Sequence, residues 1–174
     1  MITKKMPFTM SDAGRPLSDT DIVALEKKLG VNLPEAYKTF LKQNNGGRPD
    51  PKFFPILGFE NNLVGQVLDF FGIDDPVKSC SLDWNYNIMR GRMPDNLFPI
   101  ACEDGGSLIC LSLSGPDKGA VYYWDYYGEA QPPSYDNVYQ IAGTFEGFLD
   151  SIHFYEPLAE EDATPTLVNR GLPH

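Results

Sequence analysis

The sequence predicts an α+β fold: an antiparallel β-sheet meander with helices packed on it. Three observations carry that prediction. Two capped helical segments occupy residues 18–47. Runs of β-branched and aromatic residues, separated by Gly-rich turns, fill residues 97–125. A Thr-capped amphipathic segment follows at 144–152. With 174 residues, 42% hydrophobic and 22% charged, the chain is long enough for one domain with a hydrophobic core.

Residues 1–17 lack periodicity and are expected to form an N-terminal arm, closed by Gly14 and Pro16. Ser18-Asp19-Thr20-Asp21 has the form of a capping box, with Asp in place of the usual Glu. Ile22, Leu25 and Leu29 follow at helical spacing, and Gly30 is placed to end the helix. Pro34 suits the first position of a second helix, where its missing N–H costs nothing. Tyr37, Phe40 and Leu41 give that helix an i, i+3, i+4 apolar face, and Asn44-Asn45-Gly46-Gly47 stops it. So short a link makes the two helices pack as a pair.

From residue 53 the period changes. Residues 53–59 predict a strand, at an edge because of Pro55. Residues 64–71 fit either a strand or a short helix. Residues 76–92, with Val77, Leu82, Trp84, Tyr86, Ile88 and Met89, predict a third helix. Strands are then expected at 97–101, 107–113 and 120–125, with turns at 103–106 and 114–119. Residues 138–142 add a last strand. Thr144 caps a final helix whose apolar face is Phe145, Phe148, Leu149 and Ile152. The predicted domain spans 18–155, and residues 156–174, with Pro157, Pro165 and Pro173, are expected to be an extended tail.

Charge narrows the function. Twenty-four acidic and 14 basic side chains give −10. Phosphate contacts need a basic face, so nucleic acid and anionic membrane surfaces are disfavoured as partners. A cationic protein partner is favoured, because complementary charge speeds encounter. No secretory signal follows Met1-Ile2-Thr3-Lys4-Lys5, and no apolar run approaches the ~20 residues of a membrane span. Three cysteines, Cys80, Cys102 and Cys110, are an odd number and fit reduced thiols in a cytoplasmic protein. Cys102 and Cys110 sit in strand-like sequence, where core packing is their expected role.

Chemistry-bearing patterns are sparse. His153 and His174 have no Cys or acidic neighbour at zinc-ligand spacing. Gly-x-Ser-x-Gly and the phosphate-binding Gly-x-x-x-x-Gly-Lys-Ser/Thr are absent, and Gly46-Gly47 and Gly105-Gly106 fit turns better than anion sites. Of the adjacent carboxylates, Asp74-Asp75 fit a turn before a helix, 160–162 a solvated tail, and Glu103-Asp104 a hairpin turn. No cofactor, metal or catalytic set is predicted. One stretch is less ordinary: Tyr122, Tyr123, Trp124, Tyr126 and Tyr127 surround Asp125, with Glu129 behind. On a strand Tyr123 and Asp125 would share one face and Tyr122, Trp124 and Tyr126 the other. One set can fill the core, leaving aromatics beside acid at the surface, as at protein-binding hot spots.

Glu26-Lys27-Lys28-Leu29-Gly30, Leu33-Pro34-Glu35-Ala36-Tyr37, Phe40-Leu41 and Asn45-Gly46-Gly47 together resemble the N-terminal signature of the SUKH superfamily. That family takes in yeast regulators of cell-wall synthesis and related bacterial proteins. The resemblance continues through Phe98-Pro99-Ile100-Ala101, Leu108-Ile109-Cys110-Leu111, Gly119-Ala120-Val121-Tyr122 and Thr144-Phe145-Glu146-Gly147-Phe148-Leu149. It implies helices on an antiparallel sheet. It also implies, for a bacterial member, an immunity protein that binds and occludes a toxin, often a basic nuclease, with no fixed catalytic residues. Glu103, Asp104, Tyr123, Asp125 and Glu129 are the expected partner contacts. The alternatives are a regulatory interaction module without a toxin, as in the fungal branch, and an enzyme acting on a carbohydrate or nucleotide. The enzyme would need convergent carboxylates in a concave site.

Overall fold

The computed structural model of the chain describes residues 5–58 and 63–155. The first helix, α1 (Asp19–Leu29), starts on the expected capping box. Ser18 Oγ accepts from the Asp21 N–H at 3.3 Å, and Asp21 Oδ2 accepts from the Ser18 N–H at 2.8 Å. Two orphan donors of the first turn are thereby satisfied. Glu26 reaches forward to take the Leu33 N–H at 2.7 Å, which fixes the entry into α2 (Glu35–Gln43). Pro34 sits just before α2, one position earlier than the spacing suggests. Tyr37, Phe40 and Leu41 form its buried face, as predicted.

The stop after α2 is also a junction. Asn45 is buried, and its side chain bonds both backbone polar groups of Ile73, accepting at 2.7 Å and donating at 3.0 Å. Its carbonyl accepts from the Gly14 N–H at 2.7 Å. Gly47 has φ 107, and a Cβ there would lie 2.5 Å from the Ser11 carbonyl oxygen, so no larger residue fits.

That contact bears on the predicted arm. Residues 5–17 do not hang free: Thr9–Ser11 forms β1, paired antiparallel with β2 (Arg48–Asp50), and Phe8 and Leu17 join the core. Two apolar residues alternating about Thr9 are too short a signal to stand out, and β2 is hidden behind Pro49. The expected strand at 53–59 is shorter, with β3 (Phe53–Pro55) pairing with β4 (Val64–Gln66). Phe59 lies outside the described residues, as does the predicted tail at 156–174. The ambiguous run at 64–71 resolves into β4 and β5 (Asp69–Phe70). The third helix is confined to α3 (Leu82–Met89), preceded by a 3-10 turn at Lys78–Cys80. Just before that turn, Asp75 Oδ1 accepts from the Val77 N–H at 2.8 Å.

The meander follows in chain order: β5, β6 (Leu97–Cys102), β7 (Leu108–Ser112), β8 (Val121–Trp124) and β9 (Val138–Ala142) form one antiparallel five-stranded sheet. The register shifts between Pro99 and Ala101, where Pro99 has no N–H to give the ladder. Thr144 caps α4 (Phe145–Ser151) by accepting from the Gly147 N–H at 3.0 Å. One sheet face is sealed by α2, α4 and β3. Phe40 meets Phe70 at 4.9 Å and Phe145 at 5.3 Å, while Phe54 meets Phe148 at 5.5 Å and Tyr123 at 6.4 Å. The other face is covered in part by α3, whose Trp84, Ile88 and Met89 line a groove with Cys102, Leu108 and Trp124. The fold is α+β, as predicted.

Candidate partner-binding surface

The β6–β7 turn and the loop after β8 are brought side by side by the register of β7 between them. In the first, the Glu103 N–H donates to the Ser107 carbonyl at 2.9 Å, closing a tight turn over Gly105 and Gly106. In the second, Asp125 leaves the strand and caps a 3-10 turn, Tyr126–Gly128, by accepting from the Tyr127 N–H at 3.1 Å. Asn137 holds the Asp125 backbone at both ends, at 2.8 and 2.9 Å. Ser107 Oγ links the two loops, accepting from the Tyr126 N–H at 3.1 Å. A Cβ on Gly105 would lie 3.7 Å from the Tyr127 hydroxyl, and one on Gly106 3.6 Å from the Tyr126 ring. The two loops form one surface.

The five expected contact residues divide sharply. Tyr123 is buried, and its hydroxyl donates to Glu103 Oε2 at 2.5 Å. Burial raises the Glu103 carboxyl above its ordinary value, the Tyr123 hydrogen bond opposes this, and the charges of Asp104 and Asp125 add to the rise. Burial, reinforced by Glu103, likewise raises the Tyr123 phenol. Glu129 is held by Arg92 through two bonds, Nε to Oε1 at 2.8 Å and Nη2 to Oε2 at 2.7 Å, and this lowers its pKa. Arg92 in turn lies 5.8 Å over the Trp124 ring. Asp104 is exposed and makes no hydrogen bond or ion pair among the described residues, and Asp125 faces no cation there. Thus Tyr123, Glu103 and Glu129 brace the surface from within, and Asp104 and Asp125 remain open on it. Tyr126 and Tyr127, noted in the sequence as neighbours of Asp125, are the aromatics that stay outside, Tyr127 at 82% exposure.

Residues missed as site candidates lie on α3. Trp84 and Ile88, one turn apart, flank the same side of the sheet as Trp124. The signal was present, since Leu82, Trp84, Tyr86, Ile88 and Met89 put apolar groups all round an eight-residue helix, more than one buried face can use. The other chemistry-bearing residues are occupied locally or by burial. His153 Nδ1 lies 2.8 Å from the Ser151 carbonyl, and Cys110 is fully buried with a raised thiol pKa. Cys102 is only half-buried, and burial pushes its thiol up to about 11. Among the described residues no group of three or more His, Cys, Asp or Glu could hold a metal ion, and no helix is long and apolar enough to cross a membrane.

Comparison with known proteins bears on the same elements. The model of the SMI1 / KNR4 family (SUKH-1) matches residues 16–151, from the entry of α1 to the end of α4. The SPbeta prophage-derived uncharacterized protein YokK of Bacillus subtilis (strain 168) is 30% identical over 171 aligned residues, covering 87% of this chain and 84% of that protein. The chain belongs to the SMI1/KNR4 (SUKH-1) family.

Proposed function

We propose that the chain is a non-enzymatic protein-binding domain of the immunity type, which binds a basic bacterial toxin in the cytoplasm and covers its active site. Family membership supports the general role. One structural observation supports the chemistry: Asp104 and Asp125, free of cations, stand beside the exposed Tyr126 and Tyr127 on a braced surface. Aromatic rings on a rigid backbone bury area at little entropic cost, and unpaired carboxylates select a cationic partner. The −10 charge adds long-range steering. Glu103, Tyr123 and Glu129 take part by holding the two loops in place. A nuclease is a fitting partner class, because its active site must attract phosphate and is therefore basic.

The test is co-purification with the product of the neighbouring gene, and an assay of that product for toxicity. A stoichiometric complex, weakened by salt and lacking the toxin's activity, is expected. Absence of a complex from low to high salt would overturn the reading. A complex with a neighbouring protein that has no toxic activity would instead favour the regulatory module.

A further inference from the structure

The α3-side face of the sheet is not fully covered. Between α3 and the sheet runs a groove of about 340 Å³, lined among others by Trp84, Ile88, Leu68, Leu108, Trp124 and Tyr126. Ile88 and Leu68 are 40% and 38% exposed, which is high for apolar side chains that line one groove. Trp124 is 1% exposed, yet its indole N–H has no acceptor among the described residues. A fold normally avoids leaving a buried polar group unmade, and among the described side chains this N–H and the Tyr37 hydroxyl are so left. Tyr126 packs edge-on to Trp124 at 6.4 Å and is itself half-exposed, so its rotation is what would admit an acceptor.

Charge decides what fits. The cations at the groove are already neutralised: Arg92 by Glu129, and Arg48 by Asp69 at 2.9 Å. The charges still open beyond Tyr126 are the carboxylates Asp104 and Asp125. Those two carboxylates disfavour an anionic ligand on this side of the groove. An apolar side chain flanked by Lys or Arg would meet both halves of the surface.

Resting on the reading above, we infer that this groove receives a large apolar side chain from a cationic segment of the toxin. The flanking cation pairs with Asp104 and Asp125, and a main-chain carbonyl of the segment accepts from Trp124 Nε1. The acidic-aromatic surface and the groove are then one continuous docking site, with the groove supplying the desolvated anchor.

The chain's only two tryptophans, Trp84 and Trp124, both line the groove. Full-length chain labelled with 5-fluorotryptophan therefore gives two fluorine resonances that report on it. Titration with the product of the neighbouring gene, used as the probe partner, should shift both. Leu68→Asp and Ile88→Asp, at positions exposed enough to fold, should each weaken the complex by about tenfold or more. A complex that forms while both resonances stay in place, or whose affinity both variants retain, overturns the groove and leaves the immunity reading standing. No complex at any salt concentration overturns both. Self-association of the chain alone that Ile88→Asp abolishes would assign the groove to a second copy and overturn the inference.

Discussion

Tyr123 and Trp124 are consecutive on β8 and so point to opposite faces of the same sheet. Both are buried, but the two faces treat them differently. Tyr123 meets Phe54 under the β3–α4 layer, and its hydroxyl is satisfied by Glu103. Trp124 lies under the incomplete cover of α3, at a groove, with its N–H unmet among the described residues. The closed face spends its aromatics on one another. The open face keeps apolar surface exposed at the groove, while an unmet buried polar group occurs on both faces, the Trp124 N–H on this one and the Tyr37 hydroxyl on the other. Stability should therefore reside on the first and recognition on the second, and substitutions on either side can break that division.

The largest effect is expected on the closed face. Phe148 is fully buried and its ring meets Phe54, Phe70 and Phe145. Phe148→Ala should cost ~3–5 kcal/mol of unfolding free energy, from lost transfer energy and the cavity left behind. Ile88→Ala, on the open face, should stay within about 0.5 kcal/mol in the same urea titration. If Ile88→Ala proved as costly as Phe148→Ala, α3 would be closing the core and the division would be wrong.

The next test lies where the faces meet. Tyr123→Phe leaves the half-buried Glu103 carboxyl without its side-chain donor and should cost ~1–3 kcal/mol. Glu103→Gln keeps an acceptor for Tyr123 and removes a charge whose burial is unfavourable, so it should be neutral or slightly stabilising at neutral pH. The sign follows from the raised folded pKa. The folded state binds the Glu103 proton more tightly than the unfolded one, so this residue's contribution worsens as pH rises through the folded value. Any advantage of Glu103→Gln over wild type should therefore shrink as the pH falls toward the ordinary 4.5 of a glutamate. An advantage that grew on acidification would mean that the Tyr123 bond outweighs burial.

A smaller effect is expected from the ion pair that braces the open side. The Arg92–Glu129 pair is 37% and 21% exposed, so its Coulomb energy is screened. A double-mutant cycle should give a coupling of ~0.2–1 kcal/mol that declines with salt. Glu129's pKa is lowered by Arg92, so this stabilisation is present at neutral pH and is lost as pH falls through the folded value.

These differences also show what the sequence could convey. α1, α2 and α4 were legible because their caps and apolar spacings are local: Ser18 with Asp21, Tyr37 with Phe40 and Leu41, and Thr144 before Phe145. The meander was legible from its turns. β1 was not, because its strand character comes from β2, 39 residues on at the Met10–Pro49 pair. The candidate surface was half legible. Aromatic and acidic residues around Asp125 pointed to this loop, but local sequence carries no trace of Arg92 reaching Glu129 or Tyr123 reaching Glu103. Those long-range bonds decided which side chains are braces and which are open.

The smallest stability effect and the clearest functional one should coincide at Tyr127. Its ring is 82% exposed and meets Tyr126 at 5.6 Å, its one ring contact among the described residues. The turn that carries it is held by its backbone N–H on Asp125, a bond that survives truncation of the ring. Tyr127→Ala should thus leave unfolding unchanged within about 0.5 kcal/mol. An exposed tyrosine beside two open carboxylates suits a contact residue, so the same variant should weaken the toxin complex by about tenfold, mainly through faster dissociation. Asp104→Asn should instead act mainly on association and flatten its salt dependence, since a rim charge steers encounter. Dissociation rates measured on immobilised toxin separate the two effects. A Tyr127→Ala variant that unfolded early would make this loop part of the closed core, and one that bound like wild type would move the contacts away from residues 125–127.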